Sequence, residues 1–367
     1  MRSKKDCLAI IAIVVFLFGT IAFLFPKPAV CQEVIELKAA NLHPATHRLN
    51  KDAYELWANE VNKLTKGKVK ITWFSGGTLA KADQLYDAMI SGLTDISVVP
   101  IYAFPHIFPL ADLLTHPFMV DGSVHLSDTA WEMYQTIPEF KQEFSKIKVL
   151  GFFGTDTTNL ALTKPPLVKT LADLKGRKII GAAAASVETL RILGAAPQFQ
   201  KSEDIYLSLQ RGMADGVIFP NAPLRSFKIV ELARYYTILK LGAGPFVAAM
   251  RLETWQKLPP DVQKVFNDTG LSFSRLCAHT LENEGLWVIE ELKKRGDQFY
   301  EFSQQERETW RKATQPQYDR WIAKIKEKNI NGQALLNKAL AIAEKARKKP
   351  SPIDEWWKQG RMGMKIN

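Results

Sequence analysis

Two histidines are spaced so that they could bind a metal ion. The segment His43-Pro-Ala-Thr-His47 separates two imidazoles by four residues, which on a helix would place two zinc ligands on one face. Pro44 and the absence of a glutamate between the histidines argue against that arrangement. We therefore interpret the segment as a loop and helix start with His43 at the mouth of a cleft, and metal ligation as the alternative.

Two further segments could support catalysis or phosphate binding. Cys277-Ala-His279 pairs a nucleophile with a base, but it lies within a helical pattern without an evident orienting group, so core packing is the better interpretation. Ser75-Gly-Gly-Thr78 is glycine-rich but lacks the Gly-Lys-Ser/Thr ending of a phosphate loop, and it is better interpreted as a turn. We expect no enzyme activity, no cofactor and no metal.

The elements that position these residues follow a repeated strand and helix pattern. The first unit is predicted as strand 34–40, helix 49–67, strand 69–74, helix 79–90 and strand 96–100. The second is predicted as strand 178–180, helix 187–194, strand 198–200, helix 203–211 and strand 216–219. Residues 262–294 and 304–347 are predicted as long helices. Two βαβαβ units indicate an α/β protein with two lobes.

The N-terminus and the charge distribution restrict the function. Basic residues, an apolar run over 7–25 and the small residues Ala29 and Cys31 predict a signal peptide over 1–31, with an uncleaved membrane anchor as the alternative. Cleavage would leave Cys277 as the only cysteine, so the mature chain would contain no internal disulfide. The net charge is +11, but residues 291–367 hold 18 basic and 10 acidic side chains and the body is neutral. This distribution argues against nucleic-acid binding.

Ligands of open α/β sheets bind beyond the carboxyl ends of the strands, where loops diverge and helix N-termini point their N–H groups into the crevice. In this chain those positions are 41–47, 74–78, 100–102, 181–186 and 219–223. An exported protein with two lobes and no catalytic motif is expected to close a cleft on a small solute.

Several segments together resemble the solute-binding subunits (DctP-type) of tripartite ATP-independent periplasmic (TRAP) transporters. The signature is carried by Gly194-Ala-Ala-Pro197 and the stretch 202–216 with Gln210-Arg-Gly-Met-Ala-Asp-Gly216. Further landmarks in the same order are 67–71, 112–118, 168–176 and 258–264. Their ordered occurrence spans nearly the whole mature chain.

The resemblance implies a two-lobed periplasmic-binding-protein (Venus-flytrap) fold, with a sheet and flanking helices in each lobe and long C-terminal helices. The first lobe would comprise 32–153 plus about 246–285, and the second 154–245 plus about 286–367. The implied function is an extracytoplasmic receptor that delivers a small-molecule solute to integral membrane TRAP permease subunits. We expect a monomer or homodimer, and a membrane-tethered sensor or scaffold is the alternative.

The chain departs from the family at the positions that usually bind a carboxylate. The resemblance implies an arginine directly after Lys-Ile in the second lobe, and this chain has Ile180 there. A second family arginine aligns with Thr158, within one residue, and a family asparagine aligns with Phe219. A buried carboxylate without a paired cation costs several kcal/mol, so we expect a neutral, predominantly apolar or aromatic solute.

The candidate ligand-binding residues combine these positions with polar and aromatic side chains near the strand ends. They are Asn41, His43, Trp73, Tyr102, Thr157, Thr158, Ile180, Phe219, Asn221 and Phe246. The alternative is an organic-acid receptor in which a different cation binds the carboxylate, the candidates being His43, Lys81, Lys178 and Arg225.

Overall fold

The computed structural model describes residues 34–348, so the predicted signal peptide and the last 19 residues lie outside the described part. The strands are β1 Ile35–Ala40, β2 Val69–Phe74, β3 Ile96–Pro100, β4 Ile147–Gly154, β5 Thr158–Leu162, β6 Lys178–Gly181, β7 Ala196–Phe199, β8 Gly216–Pro220, β9 Tyr235–Ile238, β10 Pro245–Arg251 and β11 Gln298–Glu301. The α-helices are α1 Glu55–Leu64, α2 Leu85–Ile90, α3 Ser123–Thr136, α4 Pro138–Glu143, α5 Leu171–Leu174, α6 Ala184–Ile192, α7 Ile205–Gln210, α8 Asn221–Ser226, α9 Leu252–Lys257, α10 Pro260–Lys294, α11 Gln304–Ala313, α12 Gln315–Lys326 and α13 Gly332–Lys348. None of the helices within 34–348 has the length and apolar character needed to cross a bilayer.

Each lobe is built on one mixed sheet. The first sheet has the strand order β2-β1-β3-β10-β4, in which β1 and β3 are parallel and β10 runs antiparallel to β3 and β4. The second has the order β11-β9-β5-β8-β6-β7, in which β8, β6 and β7 are parallel and β5 is antiparallel to β8 and β9. The predicted α/β class with two lobes is confirmed.

Two crossing segments and one long helix join the lobes. The segment after β4 and the segment before β10 run side by side: the Thr155 N–H donates to the Gly244 carbonyl at 2.9 Å, and the Thr158 N–H donates to the Gly242 carbonyl at 2.8 Å. Helix α10, 35 residues long, packs on β4 of the first lobe and on α8 of the second. The lobes are therefore connected along one edge and can enclose a space on the other side.

The C-terminal helices divide between the two cores. Trp310 of α11 packs in the second-lobe core, beside Phe302. Trp321 of α12 and Leu336 of α13 pack in the first-lobe core. The predicted lobe boundaries stay a prediction, but these contacts favour assigning 315–348 to the first lobe rather than to the second.

The long C-terminal helices are confirmed, but the structure divides the predicted range 304–347 into α11, α12 and α13 instead of one continuous helix. Pro316 stands in the first turn of α12, a position that proline tolerates at a helix start but not in a helix interior. Asn329 has a φ of 59°, a left-handed conformation that ends α12 before α13 begins. The long helix predicted over 262–294 is confirmed as α10, which starts at Pro260.

Candidate functional site

A cavity lies between the two sheets, at the strand ends where the sequence predicts a ligand. It holds about 910 Å³ of space free of protein atoms, its open mouth included. The first lobe and the crossing segments contribute Leu42, His43, His47, Tyr102, Thr115, Pro117, Thr155, Thr158, Leu241, Gly242, Ala243, Gly244, Phe246 and Leu281. The second lobe contributes Ala182, Ala183, Ala185, Ser186, Thr189, Ser202, Ile218, Phe219, Pro220, Pro223 and Phe227.

Aromatic side chains form much of the cavity wall. Phe246 contacts Tyr102 edge to face, with 5.7 Å between ring centroids. On the opposite side Phe219 meets Phe227 in the same geometry at 5.9 Å. Edge-to-face pairs of this kind hold the rings in fixed orientations, so both lobes present rigid apolar surfaces to a solute.

The cavity wall carries no formally charged side chain. None of the lining residues within 34–348 is Lys, Arg, Asp or Glu. Of the alternative cations, Lys81 and Lys178 are exposed to solvent outside the lining. The Arg225 guanidinium stacks over the Trp287 ring at 4.5 Å, also outside the lining. His43 does line the cavity.

Two imidazoles supply the titratable nitrogens of the first-lobe wall. His43 is 5% exposed and His47 2% exposed, with their ring centroids 4.7 Å apart. Burial lowers the pKa of His47 to about 4. The pKa of His43 lies well below its ordinary value, mainly because the ring is buried and secondly because His47 is close to it. Both rings are therefore neutral at neutral pH, and neither supplies a cation to the cavity.

The histidine segment has the conformation of a loop leading into a helix. A π-helical turn, Asn50–Tyr54, follows it and continues into α1. No group of three or more His, Cys, Asp or Glu residues within 34–348 is arranged to hold a metal ion. Cys277 and His279 are buried in α10, the position expected for core residues.

Five of the ten predicted ligand-binding residues line the cavity. They are His43, Tyr102, Thr158, Phe219 and Phe246. The first lobe contributes His43, Tyr102 and Phe246, Thr158 follows the crossing from β4, and Phe219 belongs to β8 of the second lobe. That these side chains contact a solute stays a prediction.

Three of the other five are held in loops and strands behind the cavity. The Asn41 amide donates to Asn50 Oδ1 and to Ser75 Oγ, both at 3.2 Å, which fixes the loop after β1. Trp73 stacks on Tyr54 with 4.6 Å between ring centroids. Asn221 Oδ1 accepts a hydrogen bond from Asn159 Nδ2 at 2.9 Å, joining β5 to α8. These three side chains contact other residues of the protein and do not line the cavity.

Thr157 and Ile180 also lie outside the lining. The Thr157 hydroxyl is buried without a hydrogen-bond partner among residues 34–348. Ile180 is 0% exposed and packs in the second-lobe core with Val217 and Ile205. The chain reaches the cavity two residues later, at Ala182 and Ala183, because β6 ends at Gly181.

The candidate residues omit several lining positions. The missing positions include His47, Phe227 and the start of α6. Two of them belong to ranges that the sequence places at strand ends: His47 to 41–47 and the start of α6 to 181–186. The run of alanines from Ala182 to Ala185 is the available signal, since small side chains after a strand allow a ligand to approach a helix N-terminus. No signal in the sequence singles out Phe227.

The family assignment rests on a match to most of the chain. Residues 39–325 match the model of the bacterial extracellular solute-binding protein family 7, DctP. This chain belongs to that family. DctP proteins are receptors of TRAP transporters and not enzymes; they bind small solutes outside the cytoplasm and work with membrane permease subunits.

Solved structures show the same architecture, and a curated relative is similar in sequence. A TRAP solute-binding protein of Rhodoferax ferrireducens T118, in complex with copurified benzoate, superposes with a TM-score of 0.80 at 24% identity, covering 86% of this chain and 99% of that chain. A marine metagenome TRAP protein specific for aromatic acid ligands, with 3-hydroxybenzoate, gives 0.79 at 23% identity over 86% of this chain and 100% of that chain. The 2,3-diketo-L-gulonate-binding periplasmic protein YiaO of Escherichia coli is 22% identical over 67% of this chain and 76% of its own length.

Proposed function

We propose that this TRAP receptor binds an uncharged, predominantly apolar or aromatic solute and delivers it to its permease. The observation that carries this proposal is the cavity wall, in which no residue within 34–348 bears a formal charge. The aromatic pairs Phe246–Tyr102 and Phe219–Phe227 offer two faces between which a ring would fit. Hydroxyls such as those of Thr158 and Ser186 can orient such a solute.

The electrostatics of the cavity disfavour a carboxylate. Transferring an ionised carboxylate from water into a closed site costs several kcal/mol unless the carboxylate is paired with a cation as well as hydrogen-bonded. Arg225 lies outside the lining, and burial keeps the pKa values of His43 and His47 low, so the lining residues within 34–348 supply no cation at neutral pH. A neutral solute avoids this penalty.

The solutes of the structural neighbours are consistent with an aromatic ring but not with a neutral head group. The neighbours from R. ferrireducens and the marine metagenome are described with benzoate and 3-hydroxybenzoate, both aromatic acids. A second candidate function is therefore an organic-acid receptor in which His43 and His47 become protonated when the acid binds. The specific observation in its favour is that both imidazoles line the cavity.

A thermal-shift screen at pH 8 with matched pairs separates the two candidates. Each pair joins a carboxylate to its neutral amide on the same ring, for example benzoate with benzamide and cyclohexanecarboxylate with cyclohexanecarboxamide. We expect the neutral member to give the larger stabilisation, which reaches about 2.7 kcal/mol at a ligand concentration of a hundred times Kd. Larger shifts with the carboxylates, growing as the pH falls from 8 to 5, would favour the acid receptor instead.

Native mass spectrometry of the purified protein identifies the solute more directly. A tightly bound molecule that survives purification would appear as a constant mass increment, which disappears after partial unfolding and refolding. A neutral aromatic or alicyclic compound supports the proposal, and an organic acid contradicts it.

A further inference from the structure

The hydrogen-bonding pattern of His47 determines which of its ring nitrogens carries the proton. The Leu49 backbone N–H donates to His47 Nδ1 at 3.2 Å. A neutral imidazole has one donor and one acceptor nitrogen, so an accepting Nδ1 places the proton on Nε2. Because Nδ1 faces its own turn and the ring lines the cavity, the Nε2–H edge is the one available to a solute.

The same reasoning applies to His43. Its Nδ1 lies 3.1 Å from the hydroxyl of Tyr54, which is 0% exposed and has no other hydrogen-bond partner among residues 34–348. If Tyr54 accepted from Nδ1, its own hydroxyl proton would be buried without an acceptor, which is costly. Tyr54 therefore donates to Nδ1, and the proton of His43 lies on Nε2.

The position of His43 is fixed by a further contact. The His43 backbone N–H donates to Asn41 Oδ1 at 2.9 Å, and the Asn41 amide is itself bound to Asn50 and Ser75. Neither imidazole Nε2 has a hydrogen-bond partner in the described part of the chain. The first lobe thus presents two neighbouring, pre-positioned N–H donors to the cavity.

The second lobe presents donors of another kind. Helix α6 begins at Ala184 after Ala183, whose methyl side chain cannot cap the helix N-terminus. The first intrahelical N–H bond is the one from Val187 to the Ala183 carbonyl, so the N–H groups of residues 184–186 have no acceptor within the helix. Ala182, Ala183, Ala185 and Ser186 line the cavity, and their small side chains leave these N–H groups accessible.

The acceptor side of the cavity is poor by comparison. Its lining residues within 34–348 include no carboxylate and no side-chain amide. The Thr155 hydroxyl already accepts from the Gly244 N–H at 2.8 Å, and the Thr189 hydroxyl is bonded to Ala185 and Gln317. Within 34–348 a solute that only donates hydrogen bonds would therefore depend on hydroxyl and main-chain carbonyl oxygens of the lining.

We infer that the solute carries at least one uncharged acceptor oxygen of the carbonyl type, as in a ketone, amide, ester or lactone, and that Nε2–H of His43 and His47 selects it. This inference rests on the proposed function, because it specifies the chemistry of the same neutral solute. A second acceptor oxygen, on the opposite side of the solute from the first, would accept hydrogen bonds from the N–H groups at the N-terminus of α6. His43 and His47 are then the specificity-determining residues of the first lobe.

A ligand series with one carbon skeleton tests the inference. Acetophenone offers an acceptor only, 1-phenylethanol offers a donor and an acceptor, and ethylbenzene offers neither. We expect acetophenone to bind at least tenfold more tightly than ethylbenzene by calorimetry at pH 8, with 1-phenylethanol between them. Equal affinities would overturn the inference but leave the proposed function standing.

Benzoate is the arm that tests the proposed function separately. If benzoate binds more tightly than all three neutral probes at pH 8, the neutral-solute proposal itself fails. If none of the four binds up to its solubility limit, both proposals fail, because both require that small aromatic compounds of this kind enter the cavity.

Variants at His47 assign the discrimination to the imidazole. His47→Leu removes one of the two donors and should reduce the ratio of acetophenone affinity to ethylbenzene affinity severalfold, with His43 retaining the remainder. His47→Gln places an amide N–H near the position of Nε2 and should retain most of the preference. His106→Leu is the matched control, since His106 is exposed and outside the cavity lining. A reduced preference in the control, or an undiminished preference in His47→Leu, would contradict the assignment.

Nitrogen NMR of the histidine rings gives a readout that needs no ligand. Long-range proton–nitrogen correlation spectra at pH 7, assigned with the His43→Gln and His47→Gln variants, should show both residues as the Nε2–H tautomer. An Nδ1–H tautomer at either residue would remove that donor and overturn the inference for it.

Discussion

Phe219 belongs both to the cavity wall and to the second-lobe core, since its side chain is only 5% exposed. Phe219→Ala should weaken solute binding by about 1–3 kcal/mol, because it removes a ring that lines the cavity and pairs with Phe227. The measurement is calorimetric titration with the neutral compound that gives the largest thermal shift. The variant should also lower the Tm, because buried contacts are lost.

A second aromatic deletion separates lost affinity from lost stability. Phe299 stacks on Tyr236 with 5.0 Å between centroids, and it packs against the same core without lining the cavity. Phe299→Ala should lower the Tm and leave the affinity unchanged. Unchanged affinity in Phe219→Ala as well would assign Phe219 to the core alone.

Glu284 on α10 makes stability depend on pH. It is 2% exposed, and its Oε2 has no hydrogen-bond partner among residues 34–348. Burial raises the pKa of this carboxyl from its ordinary value near 4.5 to about 7. A raised carboxyl pKa means that the native state holds its proton more tightly than the unfolded state, so stability falls as the pH rises from 4.5 through 7.

Glu284→Gln should remove this loss of stability at higher pH, because the glutamine side chain does not ionise. At 1.36 kcal/mol per pH unit, the variant is expected to gain about 3 kcal/mol relative to the parent between pH 4.5 and pH 8. Urea denaturation of both proteins at pH 5 and pH 8 measures the difference, and comparing the pair cancels the contributions of other groups such as His47. Parallel pH profiles would show that Glu284 ionises normally in the native state.

For single residues, the sequence predicts which segments form the site more accurately than it predicts which side chains of those segments line the cavity. The residues after β6 were expected at the cleft, but Ile180 packs in the core and Ala182 lies at the cavity. Ile180 lies within β6, whereas Ala182 follows the end of the strand at Gly181, so a shift of two residues takes the chain from the core to the cavity. The donor edge of His43 could not be predicted, because it depends on Tyr54, which only the packed loop brings beside it.

Helix α10 is the element that holds the first-lobe sheet to the second lobe, and it lies unusually close to β4. A Cβ built on Gly270 would overlap the Leu150 carbonyl oxygen, and one built on Gly151 would overlap Ser274 Oγ. The two glycines therefore permit the backbones of helix and strand to approach each other. The apolar periodicity of the sequence predicts the helix, but the close approach joins Gly270 to Leu150, 120 positions earlier in the chain, and was not predictable.

Gly270→Ala should destabilise the protein although alanine favours helices. The new methyl group forces helix and strand apart, and overpacking of a core typically costs about 1–3 kcal/mol. Asp268→Ala, at an exposed position of the same helix, is the control and should change stability by no more than about 0.5 kcal/mol. Chemical denaturation measures both, and a Gly270→Ala variant as stable as the parent would show that the helix can shift without penalty.

Two polar contacts between the lobes are expected to contribute different free energies to the closed form. Lys201 Nζ lies 3.1 Å from Asp83 Oδ2, but both side chains are about half exposed. Thr189 Oγ1 donates to Gln317 Oε1 at 2.7 Å in a buried setting, and α12, which carries Gln317, packs in the first-lobe core. Exposed ion pairs contribute about 0–1 kcal/mol, whereas leaving a buried polar group unsatisfied costs about 1–3 kcal/mol.

Lys201→Ala should therefore weaken solute binding by a factor of about five at most, and Gln317→Ala by about tenfold or more. Interlobe contacts of the closed form contribute to the apparent affinity, because they lower the free energy of the state that holds the solute. Titrations of both variants with the same neutral compound test the order. A larger effect of Lys201→Ala, especially one that disappears at high salt, would show that long-range electrostatics and not the buried contact governs closure.

Hinged motion of the two lobes is the prediction that concerns the molecule as a whole. The lobes share the crossing segments that contain Thr155 and Gly244, together with α10, while the cavity between them is lined from both sides. A solute that contacts both lobes binds the closed form better than the open form and shifts the population towards it. Small-angle scattering should show a smaller radius of gyration at saturating solute, and the Gln317→Ala variant should require more solute for the same change. An unchanged radius of gyration on saturation, with binding confirmed in the same sample by calorimetry, would mean that the solute enters a preformed closed cavity without lobe closure.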